Sequence, residues 1–226
     1  MQNLILLHGA LGSSKTLAPL QQALAPDFQL HTFDFHGHGE SPAQTFNMAT
    51  LAEQVRTYIE SSGLDRPHVF GYSMGGYVAL YLAQQAPNLL GRIVTLGTKF
   101  TWTPEIAAIS IRGLQADKIE EKVPKYAAYL ASLHGETEWR ELLQHTALMM
   151  DSLGAYPILS PASVQQISNP TLICLGEQDN MVSQEESEAI AQALPQGQFQ
   201  ILPQTQHPIQ KVDPKVLAPY LQTFLV

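Results

Sequence analysis

Two kinds of apolar pattern alternate along the chain. Short, nearly continuous apolar runs occur at 3–7, 29–33, 68–70, 93–96, 171–175 and 198–202. Most are bounded by Gly, Pro or Asp, and together they predict strands buried on both faces. Helical periodicities lie between them. Residues 50–62 put Leu51, Val55, Tyr58 and Ile59 on one face and stop at Gly63, which suits the left-handed C′ position. Ser183-Gln184-Glu185-Glu186 predicts a capping box that opens a helix running to about Leu194. Asp213 as N-cap and Pro214 at the first position open the last helix, which Pro219 should kink or shorten. This alternation predicts an α/β domain built on a parallel sheet of about six strands, with helices on both faces.

One stretch breaks the rhythm. Between the runs ending at Leu96 and beginning at Thr171 no strand pattern occurs, only helical periodicity broken by Pro and Gly. That gap is far longer than a β-α-β crossover, so residues 100–166 are expected to form a small inserted helical cap. Residues 1–99 and 167–226 then make the core.

Composition narrows the field of functions. The chain has 226 residues, 45% hydrophobic and 14% charged, with a net charge of −8. A chain of this size can bury a self-sufficient core. The negative balance disfavours nucleic acid and anionic membrane surfaces as partners. Cys174 is the only cysteine and lies inside an apolar run, which predicts a buried structural thiol and excludes an internal disulfide. The first residues lack a basic n-region, and no run of 18 apolar residues occurs, so a cytoplasmic protein without a membrane span is expected.

The candidate chemistry centres on Gly71-Tyr72-Ser73-Met74-Gly75. Three fixed positions of Gly-x-Ser-x-Gly match by chance in about one chain in fifteen of this length, so the motif alone is weak. Its setting is informative. It follows the run at 68–70 and precedes a helical pattern at 74–86, the strand-turn-helix context of a nucleophile elbow. In such a turn the serine takes a strained backbone conformation, and side chains two residues either side would collide. The Met74 amide, at a helix start, is then placed to stabilise an oxyanion.

A serine nucleophile needs a base, and the base needs an acid to orient it. Where the elbow sits on a parallel sheet these follow in the order Ser, acid, His, on loops after strands. Asp179, after the run at 171–175, is the expected acid, with Glu177 and the more distant Asp151 as competitors. His207 follows the run at 198–202 and is the only histidine beyond Asp179, so it is the expected base. The loop His8-Gly9-Ala10-Leu11-Gly12-Ser13 should supply a second oxyanion donor, the Ala10 amide, with His8 bracing the loop. His36 and His38 could begin a zinc site, but no further ligand lies at suitable spacing. Residues 34–41 are therefore expected to form a tight structural turn beneath the site, with no metal and no cofactor.

These segments, together with Gly176-Glu177-Gln178-Asp179 and Gln206-His207, closely resemble the α/β-hydrolase superfamily in residues and in order. The resemblance spans nearly all of the chain outside 100–166. Within the superfamily the chain is similar to small bacterial carboxylesterases, cofactor-free haloperoxidase-like enzymes and the menaquinone-pathway synthase group. The resemblance implies acyl-enzyme chemistry: Ser73 attacks a carbonyl, His207 takes its proton, Asp179 holds the imidazole, and the Ala10 and Met74 amides bind the oxyanion. Two departures stand out. The first strand begins almost at Met1, without the hairpin that precedes it in many relatives, and Gln206 replaces the Gly that often precedes the catalytic His.

The expected function is hydrolysis of a carboxylic ester or thioester of a small molecule with an apolar acyl or alkyl part. A C–C bond hydrolase or lyase using the same triad is an alternative, although the synthase group often has Arg where this chain has Tyr77. A non-catalytic small-ligand receptor is a third. Within 100–166, Phe100, Trp102, Tyr126, Tyr129, Trp139, Met149 and Met150 are expected to serve mostly as core and seam rather than pocket, and Lys99 and Arg112 mostly as solvated charges.

Overall fold

A computed structural model describes residues 1–226 throughout. Six strands form one sheet: β1 (Gln2–Leu7), β2 (Phe28–Thr32), β3 (His68–Tyr72), β4 (Ile93–Leu96), β5 (Thr171–Gln178) and β6 (Gly197–Gln206). Their spatial order is β2-β1-β3-β4-β5-β6, and every pairing is parallel. All six expected runs are strands. β5 and β6 extend further than their apolar runs, because polar residues at their carboxyl ends still pair, Gln178 opposite Gln206.

Alternation along the strands feeds two cores. Ile5, Leu7, Val69, Ile93 and Ile173 face one way. They pack against α2 (Met48–Ser61), α3 (Met74–Gln85) and α8 (Gln184–Ala193), whose buried residues include Val55, Val78 and Ile190. Leu4, Leu6, Phe70, Val94 and Cys174 face the opposite layer of α1 (Ala18–Leu24) and α9 (Pro214–Leu225). Burial pushes the Cys174 thiol up to about 12, so it is an inert core group.

The helix ends follow their local chemistry. Asn47 caps α2 through a reciprocal pair with Thr50, and Gly63 beyond it takes φ +63°. Ser183 and Glu186 form the expected capping box on α8, and Asp213 and Pro214 open α9 as expected. Pro219 lies inside α9 and does not shorten it. The helix still buries Leu217, Leu221, Phe224 and Leu225, and that apolar stripe outweighs one lost amide donor.

Between β4 and β5 lie four helices, α4 (Pro104–Ile111), α5 (Ala116–Lys122), α6 (Pro124–His134) and α7 (Glu138–Ala155). A small cluster of Ile119, Ala127, Leu130, Trp139 and Leu143 holds α5, α6 and α7 together. The chain returns to the sheet past Tyr77 of α3, whose hydroxyl accepts the amides of Ile158 at 3.2 Å and Leu159 at 2.9 Å. Tyr77→Phe removes only that oxygen and strands two amides in a buried place. The expected cost is about 1–3 kcal/mol, read as a lower urea midpoint with an unchanged slope.

Candidate active site

The strand order creates the site. The chain leaves β1 toward β2 on one side and returns to β3 on the other, so the loops after β1 and β3 diverge and leave a crevice at their carboxyl ends. Ser73 stands there, between β3 and α3, at φ +50° and ψ −114°. Its amide donates to Leu96 O at 2.8 Å, and its carbonyl accepts the Thr98 hydroxyl at 3.0 Å. The flanking glycines are sterically required. A Cβ on Gly75 would lie 2.5 Å from Leu7 O, and one on Gly71 would lie 2.5 Å from Gly75 O. The Ser73 hydroxyl caps nothing in α3, which leaves it free for other partners.

His207 and Asp179 meet at 2.7 Å, Nδ1 to Oδ2. A carboxylate only accepts, so Nδ1 carries a proton, and in the neutral ring that leaves the Nε2 lone pair free. Asp179 Oδ1 accepts the amides of Met181 at 2.8 Å and Val182 at 3.0 Å. Burial alone would raise the Asp179 pKa, but the His207 bond and charge together with those two amides hold it below the usual carboxylate value. The pair is brought together by an irregularity between β5 and β6. Gly176 faces Leu202 while Gln178 faces Gln206, so β6 uses two extra residues to lift His207 beside Asp179.

The competing acids lie elsewhere. Glu177 is exposed and accepts the Gln204 amide at 2.9 Å, holding a turn in which Gln204 takes φ +51°. Asp151 is exposed on α7. The Ala10 and Met74 amides, the two candidate oxyanion donors, donate to no backbone acceptor. His8 braces the first of their loops: Nδ1–H donates to Gly9 O at 2.8 Å, and Nε2 accepts the Phe35 amide at 3.1 Å. Asp34 ties the same loop to 34–41 by accepting the amides of Ser14 at 2.7 Å and Glu40 at 2.9 Å.

Two neighbours of the His–Asp pair escaped the sequence reading. Tyr72 donates its hydroxyl to His207 O at 2.8 Å, and burial pushes its phenol pKa well up. Gly97, at φ +61°, forms the floor: a Cβ there would lie 3.1 Å from Asp179 Oδ2 and 3.2 Å from His207 Nδ1. A glycine directly after a strand was the available signal for Gly97, whereas Tyr72 occupies a motif position that imposes no residue type.

Ser73 and His207 line a cavity of about 620 Å³ under the inserted helices. Trp102, Tyr126, Tyr129 and Met150 line it too; Trp102 and Met150 also pack against the larger core, whereas Tyr126 and Tyr129 on the cavity wall depart from the expected core-and-seam role. Phe100, Trp139 and Met149 are buried in the cores as expected. Lys99 lines the cavity, but its Nζ donates to Met181 O at 3.1 Å and sits 3.6 Å from Glu186 Oε1; Arg112 lies outside the lining.

Burial also fixes how pH acts on this region. His8 is pushed down to about 4 and His38 well below its ordinary value, each mainly by desolvation. The unfolded chain therefore binds protons that the folded one refuses as pH falls below about 6.5, so these groups erode stability on acidification. Asp34 and Asp179, held low by their hydrogen bonds, contribute stability above about pH 4 that is lost as pH falls through their folded values. The urea midpoint is expected to decline from pH 6.5 downward, before the carboxylates titrate. His38→Asn, which keeps a donor for His36 O, should flatten that upper part of the decline. Gly97→Ala should force the His207–Asp179 pair apart, cost about 1–3 kcal/mol, and abolish or shift the low-field Nδ1 proton resonance.

The family model described as alpha/beta hydrolase fold matches residues 2–214. The chain is 25% identical over 250 residues to the sn-1-specific diacylglycerol lipase ABHD11 of Mus musculus, covering 98% of this chain and 80% of that protein. It is likewise 25% identical to the 2-succinyl-6-hydroxy-2,4-cyclohexadiene-1-carboxylate synthase of Serratia proteamaculans, over 99% and 92% of the two chains. A thermophilic esterase from Thermogutta terrifontis, solved with malate bound, superposes with a TM-score of 0.77 at 22% identity, covering 100% of this chain and 89% of the other. At that identity the likeness concerns the fold.

Proposed function

Because the chain belongs to the alpha/beta hydrolase fold family, we propose that it is a serine hydrolase acting through an acyl-enzyme on Ser73. The observation that carries the reading is the 2.7 Å bond between His207 Nδ1 and Asp179, which leaves Nε2 as a base on the cavity that Ser73 also lines. Ser73 Oγ attacks the acyl carbonyl and passes its proton to Nε2. The Ala10 and Met74 amides receive the charge that develops on the carbonyl oxygen. The alcohol or thiol then leaves with the proton from His207. Water adds by the same path and releases the acid, restoring the serine.

The substrate is a small carboxylic ester or thioester. Its acyl or alkyl part is apolar, since more than half of the residues lining the cavity are hydrophobic, Leu11, Trp102, Leu114 and Met150 among them. Residues 100–166 act as the cap that shapes this wall. Tyr77 supports hydrolysis over the synthase-like lyase chemistry. Its hydroxyl is committed to Ile158 and Leu159, and its side chain lies outside the cavity lining.

Purified protein should turn over short p-nitrophenyl esters, with Ser73→Ala reducing kcat by roughly four to six orders of magnitude. Equal activity in the two proteins sinks the reading.

A further inference from the structure

His134, at the end of α6, lies in the inserted helices, yet it touches the loop that carries Ala10. Its side chain is buried. The Gly39 amide donates to Nδ1 at 2.8 Å, and Nε2 lies 3.1 Å from Leu11 O. An amide N–H can only donate and a carbonyl can only accept. The ring is therefore neutral, with its proton on Nε2 and directed at Leu11 O. Both ring nitrogens are used, one on each of two separate loops.

We propose that His134 is a positioning residue for the oxyanion site: by holding the Leu11 carbonyl it fixes the peptide whose Gly12 N–H bonds Gly9 O, and Gly9 O shares a peptide unit with the Ala10 amide that faces the carbonyl Ser73 attacks. This inference rests on the serine-hydrolase reading above.

The loop needs such a brace because its middle is strained. Gly12 N–H closes a turn onto Gly9 O at 3.1 Å, and Leu11, the third residue of that turn, takes φ +58°. That position suits glycine, and a leucine there relaxes by turning its peptide units unless something fixes them. The ends of the loop are fixed by His8 on Gly9 O and by Asp34 on the Ser14 amide. At the middle, the side-chain hydrogen bond is the one from His134. The Ala10 amide donates to no backbone acceptor, and its direction is set through Gly9 O on the same peptide unit, which accepts from His8 and from the Gly12 amide that the turn presents. The same helix carries Tyr126 and Tyr129 on the cavity wall, so α6 joins the acyl pocket to the oxyanion loop.

Two amide replacements separate the two bonds. His134→Asn can replace the Nδ1 acceptor for Gly39 but not reach Leu11 O, whereas His134→Gln presents an amide donor near the Nε2 position. On a p-nitrophenyl ester, kcat in His134→Asn is expected to fall roughly 10- to 100-fold, with KM changing far less, because a displaced donor is lost in the transition state. His134→Gln should recover most of the loss, at a melting temperature similar to that of His134→Asn. Equal kcat in Asn and Gln variants, a loss confined to KM, or activity that merely tracks melting temperature overturns the proposal while leaving the hydrolase reading intact. Undiminished turnover by Ser73→Ala in the same assay overturns the hydrolase reading itself.

Discussion

Ser73 occupies a backbone conformation that a side chain tolerates only when its surroundings leave no alternative. Its amide and carbonyl are bonded to Leu96 and Thr98, at and just beyond the end of β4. On the other flank, Gly75 presses against the Leu7 and His8 carbonyls at the end of β1. The elbow is thus clamped between β1 and β4, which requires β3 to lie between them, as the observed strand order provides. A different neighbour on either side would leave the strained turn without its partners. The parallel sheet therefore has two roles here: it supplies the core and it holds one residue at φ +50°.

Strain is concentrated in the same region. Four non-glycine residues take positive φ, and three of them, Leu11, Ser73 and Gln204, lie on the segments that carry Ala10, the serine and His207. Each is held by a side chain from elsewhere in the chain: Leu11 by His134, Ser73 by Thr98 and Gln204 by Glu177. Under the proposed mechanism, backbone that is expensive to hold is useful because donors must keep their direction while charge moves, and a preorganised dipole needs no reorganisation during the reaction. The buried histidines fit this logic. His8 and His134 serve as neutral hydrogen-bonding groups, and their burial keeps them so across the neutral range.

The sheet was legible because strands buried on both faces must be apolar along their length, and helix starts announce themselves through Ser183 or Asp213. The elbow was legible because two glycines are forced by contact with backbone, a constraint no other residue satisfies. His207 followed from being the sole histidine after Asp179. What escaped reading depends on contacts between distant segments. Gly97 matters only because two side chains from β5 and β6 come to rest on it, and His134 only because α6 folds back over the first loop. The aromatic residues of the inserted helices were undecidable for a similar reason: pocket wall and core ask for the same chemistry, and only packing separates Trp102 from Trp139.

That ambiguity carries over into how the cavity discriminates. Lys99 is the one permanently charged side chain on its wall, and it is already committed to Met181 O and Glu186. Glu186 in turn accepts the Phe100, Thr101 and Ser183 amides, and Asp179 is satisfied by His207 and two amides. Every full charge near the site thus has its partners within the protein. The polar groups left without a partner include the Ala10 and Met74 amides and the Ser73 and Thr146 hydroxyls, which offer partial charge over a short reach. Under the proposed hydrolase reading, such a lining favours an apolar group beside a carbonyl whose oxygen becomes negative only in passing, because a permanent anion would find no unpaired cation to offset its desolvation.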